Sequence, residues 1–260
     1  EQIGILKMHD LQKLIAERIS MGLKRKSIVS ASKWAETYRV MGGKTPGLWS
    51  FKYFPWLKEM HDSDCKMNVG QKAAQMGFTE TLMNIVFFAI DVRVVDVLYV
   101  LPSKTPDASD FSSARFQPAL DLSPHLSKLF QDVNNVGMKR AGTATLYVRG
   151  SQSRSGLKSV PVGVVALDEL EEMVQEHIPL ALERLSGQFE KLIWAISTPS
   201  VPTMGVNKLF VNTTQDHFFF KCPSCNRHTE LVYPDCLILC GDDLNDPRIK
   251  ETHIICKECK

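Results

Sequence analysis

Gly70-Gln71-Lys72-Ala73-Ala74-Gln75-Met76-Gly77-Phe78-Thr79-Glu80-Thr81 decides the fold, together with Val162-Gly163-Val164-Val165-Ala166-Leu167 and the Asp168-Glu169 pair that closes that run. The first stretch has the outline of a phosphate-binding loop, GxxxxGK[ST]. In such a loop small residues let backbone N–H groups wrap phosphates, a Lys reaches the β and γ phosphates, and a hydroxyl takes Mg²⁺. Gly77 and Thr79 stand in register, but Phe78 occupies the Lys position. Lys72, at the start of the loop, is the nearby base, and a loop that curls around an anion brings its two ends together. The alternative is an ordinary helix start capped by Thr79 or Thr81.

The second stretch is short and almost wholly apolar, as suits a strand buried on both faces of a parallel sheet. Two acids follow at once. At such a strand end the first acid holds Mg²⁺ through water and the second polarises the attacking water. The alternative is a pair of acids favoured at the N-terminus of the next helix. Further along, Glu80 to Ile90 reads as the helix that begins at the phosphates. Val92 to Leu101, Thr143 to Arg149 and Leu192 to Ile196 read as strands; Asp107 to Phe116 and Ile178 to Leu185 read as helices. Pro118 and Pro124 are expected to break their stretch into short turns. The strand-then-helix order predicts an α/β fold, an open and mainly parallel sheet flanked by helices, with its site at the carboxyl ends of the strands.

Net charge is +2, so composition does not announce a nucleic-acid binder. The chain has no apolar run long enough to span a membrane and no signal-peptide pattern. It opens on Glu1 and not on Met, as a piece of a longer protein would. A helix is expected from Leu6 to Leu23, ending at Lys24-Arg25-Lys26. From Ser32 to Trp56 aromatics are dense, either to stack on a nucleotide base or to pin an arm to the core. Between Val133 and Leu167 lie Lys139, Arg140, Arg149, Arg154 and Lys158 and no acid. Arg154, among small polar residues, is expected in an exposed, mobile loop, to meet DNA phosphates or a neighbouring subunit's nucleotide.

Four of the seven cysteines fall as Cys222-x2-Cys225 and Cys256-x2-Cys259, with 30 residues between the pairs. That spacing fits a zinc ribbon carrying a loop; disulfides, which a cytosolic setting disfavours, and free thiols are the alternatives. Cys65, Cys236 and Cys240 read as small buried residues. Asp242, Asp243 and Asp246 read as a solvated turn.

Taken together, several segments resemble one family: Trp49 with Phe54-Pro55-Trp56, Lys72-Ala73-Ala74-Gln75-Met76-Gly77-Phe78-Thr79, Val97-Leu98-Tyr99-Val100-Leu101-Pro102, Leu167-Asp168-Glu169-Leu170, Ser197-Thr198-Pro199 and Cys222-Pro223-Ser224-Cys225. They look like the ATPase half of the large terminase subunit of lambda-like tailed bacteriophages, over roughly residues 32 to 260. The resemblance implies a P-loop NTPase of the ASCE type with a small C-terminal zinc-ribbon-like element. The expected division is a helical segment at 1–31, an ATPase domain at 32–215 and the ribbon at 216–260. It implies ATP, Mg²⁺ and structural Zn²⁺ as cofactors, and a ring that drives double-stranded DNA through the portal protein into a procapsid in the host cytoplasm, with a small terminase subunit as partner. Lys72 carries over for phosphate contact, in a loop set with Gln75, Gly77, Phe78, Thr79 and Glu80. Thr79 and Asp168 carry over for Mg²⁺, Glu169 as base, Ser197 and Thr198 as coupling motif, and Cys222, Cys225, Cys256 and Cys259 for zinc. Arg154 is the candidate arginine finger, with Lys158 and Arg149 as alternatives. Such proteins continue into a nuclease domain, so DNA cutting is not expected of these residues. Two other readings stay open: a helicase-like translocase, and a zinc-ribbon DNA-binding module on a P-loop fold that has lost hydrolysis.

Overall fold

A computed structural model describes residues 30–43, 45–158 and 160–260; the helix expected over Leu6 to Leu23 lies outside them. The chain divides into two compact units, Glu1–Thr213 and Thr214–Lys260.

The first unit is built on a seven-stranded sheet. Its strands are β1 (Met67–Gln71), β2 (Val97–Leu101), β3 (Val133–Asn135), β4 (Met138–Ala141), β5 (Ala144–Gly150), β6 (Val164–Asp168) and β7 (Leu192–Ser197), in the spatial order β1-β7-β6-β2-β5-β4-β3. The first five in that order are parallel, and β4 and β3 add an antiparallel edge. Every residue of β2 and β6 is buried, because helices cover both sides of a parallel sheet. Successive side chains point to opposite faces. Val97, Tyr99 and Leu101 of β2 join a core with Trp34, Phe87, Phe116 and Trp194. Leu98 and Val100 join the opposite core with Val165, Leu167, Leu185 and Val206. Register aligns Gln71 with Ser197, Asp168 with Ile196, and Leu101 with Gly150. The strand ends that carry the polar residues therefore share one edge.

Three helices precede or follow β1: α1 (Ala31–Tyr38), α2 (Leu57–His61) and α3 (Phe78–Phe88), and all three give buried residues to the first core. Ser30 caps α1 by accepting from the Lys33 N–H. Trp34, fully buried, donates its indole N–H to Asp91 at 2.9 Å. Trp49 and Phe51 are buried against His61. These aromatics pin the arm to the core, one of the two roles the sequence allowed.

Several element boundaries differ from the sequence reading. The strand expected from Val92 begins at Val97, because α3 runs on through a π turn, Ala89–Arg93, and stops only at Val94, which takes a left-handed φ of 56°. Pro118 and Pro124 do not break the chain. They sit in the first turns of helices Gln117–Leu122 and Pro124–Leu129, where no backbone N–H is needed. The β3–β4 hairpin was not expected at all. The loop foreseen around Arg154 is instead a short helix, Arg154–Lys158, and the five basic residues differ in setting: Arg140, Arg154 and Lys158 are exposed. Lys139 is buried with its ammonium on Asn134 Oδ1, and Arg149 donates to the carbonyls of Gly137 and Val148.

The second unit holds two short antiparallel ladders, Phe220–Lys221 with His228–Thr229 and Leu237–Ile238 with His253–Ile254. Asp246 organises its late turn by accepting from the Asp242 and Arg248 N–H groups and pairing with the Arg248 guanidinium at 2.6 Å. Cys65, in the first unit, is exposed and not buried as its residue type suggested, whereas Cys236 is buried and Cys240 half-buried.

Candidate nucleotide site and a four-cysteine cluster

β1 delivers the loop. Past Gln71 the ladder continues by one bond, the Lys72 N–H donating to the Ser197 carbonyl at 3.1 Å, and the chain then turns through Gln75 and Gly77, both left-handed with φ of 61° and 81°. Gly77 is required: a Cβ there would lie 2.7 Å from Leu57 Cδ1 in a backbone conformation that disfavours side chains. α3 begins at Phe78 with no side-chain cap, so Thr79 and Thr81 are not cap residues. The Phe78 ring lies over Gly70, where a Cβ would come within 2.9 Å of it. Trp56 holds the loop from outside, donating to the Met76 carbonyl at 3.2 Å.

β6 delivers the acids. Asp168, 1% exposed, accepts from the Tyr99 hydroxyl at 2.7 Å and from the Thr79 hydroxyl at 3.4 Å. Burial lifts its carboxyl to about 6 against the pull of the Tyr99 bond, and the neighbouring Glu169 charge adds to the rise. A buried carboxylate in this condition is suited to a cation. Glu169 follows in a left-handed conformation, φ 61° and ψ 50°. Its carboxylate meets the Lys72 ammonium at 2.9 Å; the Lys72 side chain is 7% exposed and that of Glu169 42%. Lys72, Thr79, Asp168 and Glu169, up to 97 residues apart in sequence, thus converge at one strand edge. A cavity of about 860 Å³ opens beside Thr79, Asp168 and Glu169.

Glu80 turns its carboxylate away from the loop. It pairs with buried Arg39 at 2.7 Å and with Arg115 at 3.5 Å. Ser197 is buried with its hydroxyl accepting from the Glu171 N–H at 3.0 Å, whereas Thr198 is exposed. Sequence reasoning missed Glu171. Its carboxylate accepts from the Ser200 and Val206 N–H groups and the Ser200 hydroxyl, bonds that draw its pKa down. Asn207 donates to Gln71 at 2.9 Å. The segment after β7 is therefore tied to both the loop strand and the acid turn. Arg154 is exposed at the first turn of its helix.

In the second unit the sulfurs of Cys222, Cys225, Cys256 and Cys259 all lie within 4.8 Å of one another, with Cys222–Cys259 and Cys225–Cys256 at 3.9 Å. Tetrahedral zinc with Zn–S bonds of about 2.3 Å sets its sulfurs roughly 3.8 Å apart, so the set fits that ion. Backbone N–H groups of Cys225 and Ser224 lower the Cys222 thiol to about 6, while the neighbouring Cys225 sulfur pushes the Cys259 thiol up to about 12; a bound metal would offset the repulsion among the four sulfurs. The lowering at Cys222 eases formation of the thiolate a metal needs.

A loop and two acids thus meet at one strand edge of a mixed α/β fold with a mainly parallel sheet. The family profile of the phage terminase large subunit gpA, ATPase domain, matches residues 43–260, and the chain belongs to that family. It is an ATP-hydrolysing domain of the phage DNA-packaging motor. The helicase-like and non-hydrolysing readings give way to that membership. Among solved structures, the chain is similar to the large terminase ATPase domain of Thermus phage P74-26, with 16% identity over 66% of this chain and 74% of that one and a TM-score of 0.48. A point mutant of the same domain gives 16% identity over 55% and 64%, with a TM-score of 0.41. A search of curated protein sequences finds no match.

Proposed function

We propose that this strand edge is the ATP site of an ASCE-type P-loop motor, with Lys72 in place of the usual loop lysine. The observation that carries the reading is the convergence of Thr79 on Asp168 and of Lys72 on Glu169. Backbone N–H groups from Gln75 to Glu80, the last three at the start of α3, would face the phosphates where the helix dipole favours anions. Thr79 and Asp168 would hold Mg²⁺, which supplies charge neutralisation across the β and γ phosphates. Lys72 leaves Glu169 for the phosphates, and Glu169, released, accepts the proton of the water attacking the γ-phosphorus as the bond to the ADP oxygen breaks. Ser197 and Thr198 pass the state of the γ-phosphate to the segment held by Glu171 and Asn207. Arg154, from a neighbouring copy in a ring, contributes the finger.

The same reading takes double-stranded DNA, the portal protein and a small terminase subunit as partners, at the procapsid in the host cytoplasm. The described residues contain no helix long and apolar enough to cross a membrane. The four cysteines would hold one structural Zn²⁺ and close the second unit as a ribbon. Glu169→Gln tests the central role. Turnover of ATP in the DNA-packaging reaction falls by about 10²- to 10⁴-fold, while ATP binding is kept or tightened because Lys72 loses its competing anion. Turnover within threefold of wild type would remove Glu169 from the mechanism.

A further inference from the structure

The helical run after β2 brings a second cation to the site. Beyond a kink at Thr105, whose φ of −140° and ψ of 125° are extended, it runs through α turns, Ser109–Phe111 and Gln117–Leu122, on either side of a π turn, Ser112–Phe116. Arg115 lies in that π turn, a distortion that concentrates at functional sites because it re-aims side chains. The cavity beside Thr79, Asp168 and Glu169 is also lined by Arg115, and among its described lining residues Arg115 alone is basic. Its remaining charged neighbours there are Asp107, Asp110 and Glu172. A phosphoryl group entering such an acidic space needs cationic charge close by.

Arg115 is placed to give it. Its side chain is 49% exposed and keeps one long contact, 3.5 Å to Glu80 Oε1, while Arg39 holds Oε2 of the same carboxylate at 2.7 Å. Its backbone is fixed relative to the acids. Tyr99, which holds Asp168, stacks on Phe111 at 5.3 Å and meets Phe116 edge-on at 5.1 Å. One side chain thus ties the metal-side acid to the residue next to Arg115.

We propose that Arg115 is a catalytic residue of the same chain, whose guanidinium turns from Glu80 to the γ-phosphoryl oxygens of ATP and stabilises the charge that develops there. The proposal rests on the ATP-site reading above and is separate from any finger supplied by a neighbour. The alternative is an exposed arginine that only balances Glu80.

The test compares Mg²⁺-dependent affinity for ADP with that for ADP plus aluminium fluoride, a mimic of the transferring phosphoryl group, in wild type, Arg115→Ala, Arg115→Lys and Lys72→Ala. Arg115→Ala is expected to bind ADP within twofold of wild type and to weaken the fluoroaluminate complex by about 100-fold or more. Arg115→Lys keeps a charge for Glu80 but lacks the planar fork, and is expected to remain at least tenfold short of wild type. If Arg115→Ala leaves the fluoroaluminate complex unchanged, or Arg115→Lys restores it fully, Arg115 serves Glu80 alone and the proposal is overturned. Lys72→Ala separates the two layers: loss of both ligands in that variant upholds the site even where Arg115 fails. Absence of nucleotide binding by wild type overturns the site and this proposal with it.

Discussion

Asp168 keeps its charge inside the sheet edge against the desolvation that lifts its carboxyl to about 6. Because that folded-state value lies above the ordinary one of 3.8, the folded protein loses stability as pH rises from 3.8 to about 6, carries the full penalty above 6 and is free of it below 3.8. Asp168→Asn keeps the shape and removes the buried charge, its amide oxygen accepting from one of the Tyr99 and Thr79 hydroxyls and its NH2 donating to the other. Without metal or nucleotide at pH 8, it is expected to stabilise the fold by about 3 kcal/mol, read as a higher melting temperature, while abolishing Mg²⁺-dependent nucleotide binding. An unchanged or lower melting temperature would show that the carboxylate is not under strain. The acids at this strand end were legible because they break an apolar run. The pairing of Lys72 with Glu169 was not, since nothing local links side chains 97 positions apart.

Among the elements, α2 and α3 meet through His61. Its Nδ1 lies 2.7 Å from the Leu57 carbonyl and its Nε2 3.1 Å from Asn84 Nδ2, an arrangement that calls for the neutral ring with its proton on Nδ1. Burial lowers the pKa from 6.5 to about 4. The unfolded chain therefore takes up a proton between those values and the folded one does not. This contribution is full above pH 6.5, falls as pH drops, and is gone below 4, a change of about 3 kcal/mol. Chemical denaturation at pH 7 and pH 4.5 measures it, and His61→Gln should flatten that part of the pH dependence; an equal slope in both proteins would contradict this account. Elements whose residues all face a core, such as β2 and β6, could be read as apolar runs. The β3–β4 hairpin could not: its strands are short and polar, and buried Lys139 is satisfied by Asn134 Oδ1 and the Asn135 carbonyl across the turn. Likewise the contacts from Arg39 and Arg115 to Glu80 exist only once the arm and the helical run have docked.

For the whole molecule, the second unit has small ladders and many exposed apolar side chains, among them Tyr233, Leu239 and Leu244. A unit of that size gains little from its core, so the four cysteines are expected to stabilise it through a metal. Metal analysis should find one zinc per chain. A chelator or Cys256→Ser should unfold Thr214–Lys260, seen as loss of amide protection there, and leave the strands of the seven-stranded sheet protected. Full protection with no metal bound would rule out the zinc ribbon. The spacing of the cysteines exposed this cluster in the sequence because both pairs lie in local turns. The clamp from Glu171 to Ser200 and Val206 could not be read that way, because it depends on β7 lying between β1 and β6.

The most direct test of the account is calorimetry of Mg²⁺-dependent ATP binding to the chain and to Lys72→Ala. Loss of one charged contact to the phosphates costs about 1.5 to 3 kcal/mol, so the variant should bind at least tenfold more weakly. Equal affinity in the two proteins would mean that Lys72 does not touch the phosphates, and that the loop works in some other way.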